Sequence, residues 1–265
     1  MRNPPKISVI TPSFNQANFI ERTIRSILDQ DVNFPLEYIV VDGGSTDGTL
    51  DILEKYKNRL NFISEQDEGQ SDAVNKGITM ASGEIIGWLN SDDVYLPGTL
   101  QKVADHFEVN PALQWLYGYC RTIDENDEEI RGWITCYKKN RSRRFNYKRL
   151  LTENFISQPA VFFRKDAFLK SGPLDLSQHY AMDFDLWLRL SRLSPPLVLN
   201  DYLASFRLHG SSKSTTNFRK LFTEQYQIHR KFDTGKWLLL KHRAKISIIL
   251  FAYQVMVRFS GNKAK

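Results

Sequence analysis

The 265-residue chain is poor in cysteine, has no phosphate-binding glycine loop and carries no long apolar run, and each shortage excludes something. Its two cysteines, Cys120 and Cys136, sit in no CxxC and in no Cys/His array. That argues against a disulfide framework or a zinc site and makes a reducing compartment the default. There is no GxGxxG and no GxxxxGK, so a dinucleotide-binding fold and a P-loop ATPase are disfavoured. The uncharged C-terminal run Ile246–Val257 has twelve residues, short of the about 20 that a spanning helix needs. Met1 to Ile7 offers no signal-peptide apolar region, which leads to the expectation of a cytoplasmic protein. There is no internal repeat and no low-complexity segment.

What is present is a charge asymmetry. The net charge is +6, yet twelve Lys and Arg against two acids lie from Lys213 onward, which leaves residues 1–212 at −4. A mildly acidic body with a strongly basic tail suggests that the tail meets something anionic.

The first third alternates between two periods. Ile7–Thr11, Tyr38–Asp42, Leu60–Ser64 and Ile85–Leu89 read as strands. Phe19–Leu28, a stretch capped at Thr46 or Asp47, and Ala73–Met80 read as helices. Such alternation argues for a mostly parallel sheet with helices on both faces. Farther on, Leu113–Ile123 reads as a strand, and the acidic turn Asp124–Glu129 is expected to join it to a partner strand at Ile130–Thr135. Lys138–Arg149 reads as a basic, mobile loop over the site. Pro159–Phe163 is a further strand and Asp183–Leu193 a helix. The expected division is a catalytic body over 1–212, with a nucleotide half to about residue 110 and an acceptor half over 111–212. A basic helical tail over 213–265 completes it.

The strands end on polar side chains, and in an open α/β sheet ligands sit beyond the carboxyl ends of the strands. Pro12 to Asn15 end the first, Asp42 the second, Asp67 follows the third, and Asn90-Ser91-Asp92-Asp93 end the fourth. Adjacent carboxylates repel unless a cation lies between them, and a hard divalent metal is the natural guest. Taken alone, the same residues also make a good solvated turn or helix cap.

Taken together, Ser8–Asn15, Val40–Thr49, Gly69–Gly77 and Leu89–Asp93 resemble glycosyltransferase family 2 in order and spacing, over roughly residues 6–212. The resemblance implies a GT-A fold, Rossmann-like with a mostly parallel central sheet flanked by helices, here with a C-terminal helical extension. It also implies inverting transfer from a nucleotide-diphosphate sugar. Thr11, Pro12, Ser13, Asn15, Asp42, Asp67, Asp72, Asn75, Asn90, Ser91 and Asp92 would then bind the nucleotide-sugar. Asp92, Asp93 and His209 would hold Mn²⁺ or Mg²⁺, with Ser211 and Lys213 helping at the diphosphate. Asn90 stands where the fuller DxD-type pattern has an acid, which moves the metal load to the following pair. A general base on the acceptor face is implied at Asp183, although Met182 replaces the family's preceding Glu. Without the resemblance Asp183 reads rather as a helix cap, while Asp185, the rival base two residues on, is placed to pair with Arg189 at i, i+4. Gln158 and Trp187 are expected on the acceptor side by position.

The family's processive synthases carry QxxRW and spanning helices, and neither is found here. Transfer of a single sugar to a glycan or lipid-linked glycan, as in polysaccharide or cell-envelope synthesis, is therefore the expected reaction. The departures at Asn90 and Met182 keep a non-catalytic sugar-nucleotide-binding or scaffold protein as the alternative. A sugar-phosphate nucleotidyltransferase ranks below it, because Ser13–Ala17 is no Gly-rich basic loop. Residues 236–259 read as a basic, apolar helix lying on an anionic membrane face. Packing on the body or in a homodimer is the competing reading, and no nucleic-acid partner is expected.

Overall fold

The computed structural model describes residues 4–210, 212 and 218–232. Ser211, Lys213 and the expected membrane-binding segment 236–259 lie outside the described residues. Among the described residues, no helix is long and apolar enough to cross a membrane.

The alternation seen in the sequence closes into one eight-stranded sheet. Four strands are parallel: β1 (Ile7–Ser13), β2 (Leu36–Asp42), β3 (Asn61–Ser64) and β4 (Ile85–Trp88). They are followed by β5 (Val94–Tyr95), β6 (Trp115–Ile123), β7 (Val161–Arg164) and β8 (Leu197–Arg207). The spatial order is β3-β2-β1-β4-β7-β6-β8-β5. β7 runs antiparallel to both β4 and β6, and β8 runs parallel to β6. The central strands are apolar on both faces because helices cover both, and their side chains divide by the strand period of two. Ile7, Val9, Tyr38, Val40 and Leu116 enter one core with α1 (Ile20–Leu28), α2 (Thr49–Tyr56) and α4 (Thr99–Val109). Ile10, Ile39, Val41, Trp115 and Tyr117 enter the other, with α3 (Gln70–Met80) and α8 (Met182–Leu193). α3 lies so close to β1 that a Cβ at Gly77 would overlap the Ile10 side chain.

Two expectations in the middle of the chain are corrected. Ile130–Thr135 is not a strand: an isolated bridge joins Ile123 to Glu129, and α5 (Gly132–Ser142) follows. Its Trp, Ile, Thr and Tyr favour strands locally, but helical spacing buries Thr135 and Ser142, and the Tyr117 hydroxyl donates to the Ser142 carbonyl (2.8 Å). Nor is Lys138–Arg149 a loop over the site. It holds the end of α5 and a short α6 (Tyr147–Leu150), whose cap Asn146 accepts from the Arg149 N–H. α7 (Lys165–Ser171) and α9 (Phe218–Lys231) complete the helices used below.

Candidate active site

The parallel strands deliver Ser13, Asp42, Ser64 and the turn after Trp88 to one edge of the sheet. At the end of β2 the Asp42 carboxylate is fully buried. It accepts from the N–H groups of Gly44 (3.1 Å) and Ser45 (2.8 Å), and from the hydroxyls of Ser45 (2.5 Å) and Ser64 (2.8 Å). Oδ2 takes three of those bonds and Oδ1 one, so Asp42 fixes the loop that follows β2. A Cβ at Gly43 in that loop would lie 2.9 Å from Asp67 Oδ2, so a side chain there would displace the Asp67 carboxylate. Asp67 Oδ1 accepts from the Gly69 N–H (2.8 Å).

The end of β1 is stitched to the same loop. Thr11 is buried beneath the Tyr38 hydroxyl (3.2 Å), and Asn15 takes a positive φ of 53°. Its N–H donates to Ser45 Oγ (2.7 Å) and its Oδ1 accepts from the Thr46 N–H (2.9 Å). Pro12 and Ser13 are buried, whereas Phe14 projects with 60% of its surface exposed. Phe14 is no expected site residue, yet a large apolar side chain between Ser13 and Asn15 at a strand end is a signal visible in the sequence.

The turn after β4 divides the adjacent carboxylates. Asp92 Oδ2 meets His209 Nε2 at 3.0 Å, across 117 residues, and the His209 ring packs on Phe19 with centroids 4.4 Å apart. Asp93 turns inward, is fully buried, and accepts from the Arg207 backbone N–H (2.9 Å). Burial and the neighbouring Asp92 charge push its carboxyl well above the ordinary range. Asp93, expected beside Asp92 as a metal ligand, is thus turned into the protein and presents no surface at the strand ends. Asn90 is also engaged by the chain: its Oδ1 accepts from Gln70 Nε2 (2.7 Å) and Trp88 Nε1 (3.0 Å). Ser91 and Asp93 both give their carbonyls to the Thr23 hydroxyl, which pins the turn to α1.

Arg207 ties these parts together and is fully buried. Its Nε donates to the Asp92 carbonyl and its Nη1 to that of Asp124, both at 2.8 Å, and Nη2 lies 2.5 Å from Asp127 Oδ1. Arg22 grips the same acidic turn through Asp127 and the Glu125 carbonyl. Arg207 opens the Arg-x-His segment that ends on His209.

Asp183 begins α8, half-buried. Its Oδ1 accepts from the Phe184 N–H (2.7 Å) and its Oδ2 from Asn154 Nδ2 (3.1 Å). Burial raises its pKa above the ordinary carboxylate value. The N–H groups of His179, Tyr180 and Ala181, ahead of the helix, converge on the Glu224 carboxylate of α9 at 2.8–3.2 Å. Asp185 pairs with Arg189 (2.8 Å) as its spacing implies.

The other expected residues make contacts within the chain. Asn75 bonds both the N–H and the carbonyl of Leu174 at 2.9 Å. Asp72 accepts from the Glu68 N–H (3.2 Å) and pairs with Lys76 (3.1 Å). Gln158 Nε2 donates to the Trp88 carbonyl (2.5 Å). Trp187, expected on the acceptor side, is fully buried and stacked on Trp115 at 6.0 Å. On an amphipathic helix its ring gave no sign of which side it would take.

The family model described as Glycosyl transferase family 2 matches residues 8–172. Chondroitin synthase of Escherichia coli is 30% identical over 217 residues, covering 81% of this chain and 30% of that protein. An uncharacterized glycosyltransferase of Rickettsia prowazekii is 27% identical over 232 residues, 84% of this chain and 70% of its own length. The chain thus spans less than a third of the chondroitin synthase it matches. Among solved structures, S. aureus TarS 1–349 in complex with UDP-GlcNAc superposes with a TM-score of 0.65 at 20% identity, over 84% of this chain and 66% of that one. The mannosyltransferase PcManGT of Pyrobaculum calidifontis, in complex with GDP-Man and Mn²⁺, also gives 0.65, at 16% identity over 98% and 81%. These likenesses establish the GT-A fold, and the match of the family model over most of the body establishes the kinship. The chain belongs to glycosyl transferase family 2.

Proposed function

We propose that this chain moves a single sugar from a nucleotide-diphosphate sugar to a hydroxyl of a glycan or lipid-linked glycan, with inversion at the anomeric carbon. The observation that carries the reading is the meeting of Asp92 with His209 at the strand ends (3.0 Å), beside a loop braced by Asp42. Binding of nucleotide sugars by the structural relatives supports it.

One carboxylate and one imidazole, held together by Arg207, suit a divalent ion such as Mn²⁺. Among the described residues no cluster of three acidic, His or Cys side chains could hold a metal by itself. The donor set therefore fits an ion that the donor's own diphosphate helps to bind. Such an ion supplies positive charge where the departing diphosphate gathers negative charge. Phe14 offers an exposed ring to the nucleotide base, and Asn15 with Ser45 keeps that strand end rigid.

Asp183 acts on the acceptor. The acceptor oxygen attacks the anomeric carbon from the face opposite the diphosphate, the bond from carbon to phosphate oxygen breaks, and one displacement inverts the centre. The hydroxyl proton passes to Asp183 Oδ2, whose single bond to Asn154 leaves a lone pair free. Residues 1–212 carry the reaction.

Release of nucleoside diphosphate from UDP-, GDP- and dTDP-sugars, each with and without Mn²⁺, tests the proposal. It predicts turnover of donors of one base, dependent on the metal. Turnover of none, or of all alike without metal, would overturn it.

A further inference from the structure

A second recess lies away from the strand-end site, between α5 and the β6–β8 edge of the sheet. It is an open hollow of about 410 Å³ lined by Tyr119, Lys139, Arg143, Arg144 and Asn200, with Arg143 and Arg144 exposed at its rim. That volume falls within the range of about 300–1,000 Å³ typical of ligand pockets. The Tyr119 hydroxyl donates to Asn200 Oδ1 (2.7 Å) at its wall. Lys139 Nζ stands 5.2 Å from the Tyr119 ring centroid and 4.9 Å from that of Tyr202.

The charges of this recess are unbalanced. Residues 138–149 hold seven cations and no acid, in a body whose residues 1–212 carry −4 overall. Lys138, Arg141 and Arg149 of that run are occupied by Ser157 Oγ, the Glu153 carboxylate and the Arg141 carbonyl. Lys139, Arg143 and Arg144 face the recess, and among the described residues no carboxylate pairs with any of them. Three like charges converging on one cavity repel each other until an anion joins them, and charge-assisted bonds to a carboxylate or phosphate are the strong kind.

The recess is linked to the reaction centre by one helix. Lys138, next to Lys139 on α5, lies close enough to Asp183 for its charge to act on that carboxyl. On the outer side of α5, Trp133 and Tyr137 stand one turn apart, 61% and 46% exposed. Flat aromatic faces of this kind pack against apolar surfaces while their edges stay wet, which suits sugar rings.

We propose that this recess binds the anionic group of the acceptor, a carboxylate or phosphate carried by the glycan, with Lys139, Arg143 and Arg144 as its ligands. The inference rests on the glycosyltransferase reading and deepens it by naming the acceptor class: a negatively charged glycan. The cations share an open hollow with a tyrosine hydroxyl and an amide, whose directional hydrogen bonding favours a discrete group over a lipid surface.

Calorimetric titration of the full chain tests the proposal with four probes. They are a tetrasaccharide with one uronate carboxylate per disaccharide, its carboxyl-reduced counterpart, a glycerol-phosphate tetramer, and anionic phospholipid vesicles. The wild type should bind the carboxylate or the phosphate probe about tenfold or more tighter than the neutral one, and the tighter of the two names the anion. In the triple variant K139Q/R143Q/R144Q that preference should vanish, while release of nucleoside diphosphate into water is unchanged. The exposed single variant R144Q should lose part of the preference with no change in melting temperature. Equal binding of charged and neutral probes, or a preference that survives the triple variant, would overturn the inference. So would vesicle binding tighter than both oligosaccharides and lost in the same variant. Charge preference without turnover of any donor would defeat the catalytic reading alone, and turnover without charge preference would defeat this one alone.

Discussion

Asp183→Asn separates a catalytic base from a helix cap, because the two roles predict opposite effects on stability. The substitution keeps the shape and removes the charge. An amide oxygen can still accept from the Phe184 N–H, which donates at 2.7 Å. The partner Asn154 presents an Oδ1 that is buried with no hydrogen-bond partner, so turning the Asn154 amide satisfies the new NH₂. Burial raises the Asp183 pKa, so the folded state holds the carboxylate at a cost. D183N removes that cost at neutral pH, and its melting temperature should equal or exceed that of the wild type. Native Asp183 binds its proton more tightly than the unfolded chain does. Lowering the pH between the ordinary and the raised value therefore favours the folded wild type and closes the gap. Loss of a positioned base costs about 10²–10⁴ in rate, or about 2.7–5.4 kcal/mol of barrier at 1.36 kcal/mol per decade. The assay is transfer rate against pH for both proteins, alongside thermal melts. The acid limb of the wild-type profile should lie above the usual carboxylate range and be absent from the variant. A variant that is less stable and yet retains most of its activity would refute the reasoning and leave Asp183 a cap.

Three further outcomes follow from the same geometry. Glu224→Ala strips the acceptor from three N–H groups ahead of α8. By the scale of capping interactions it should cost about 1–2 kcal/mol and about 2–8 °C in melting temperature, with Glu224→Gln retaining part. Phe14→Ala should raise the donor KM severalfold with kcat and melting temperature nearly unchanged, since its ring is exposed and supports no core; steady-state kinetics decide. Gly77→Ala forces a methyl group onto Ile10 and should destabilise by about 1–3 kcal/mol by overpacking, read by urea denaturation.

The parallel half of the fold was legible because its signals are local. Apolar runs giving way to the polar stretches from Ser13, Gly43 and Asn90 mark where β1, β2 and β4 end to within a residue or two, and helical spacing from Phe19 to Leu28 marks α1. The Asp185–Arg189 pair lies within one helix and was read correctly for the same reason. Failures came where distant contacts outweigh local preference. Trp133 to Tyr137 is rich in strand-favouring side chains, yet α5 forms because Tyr117 and the neighbouring strand reward a helix there. Asp92 and Asp93 look alike in sequence, and what separates them is Arg207, whose N–H claims Asp93 from 114 residues away. Glu224 had no signal at all, since its partners lie 43–45 residues earlier in a segment without regular structure.

The account's central claim is that Asp92 and His209 bind a divalent ion together with the donor's diphosphate. Titration of Mn²⁺ by electron paramagnetic resonance, with and without the nucleoside diphosphate of the preferred donor, tests it most directly. The account predicts one ion per chain, bound appreciably tighter with the nucleotide. Affinity should fall about tenfold or more in D92N and in H209A, and D93N should leave it nearly unchanged. Binding that ignores D92N and H209A, or that is lost in D93N alone, would contradict the claim.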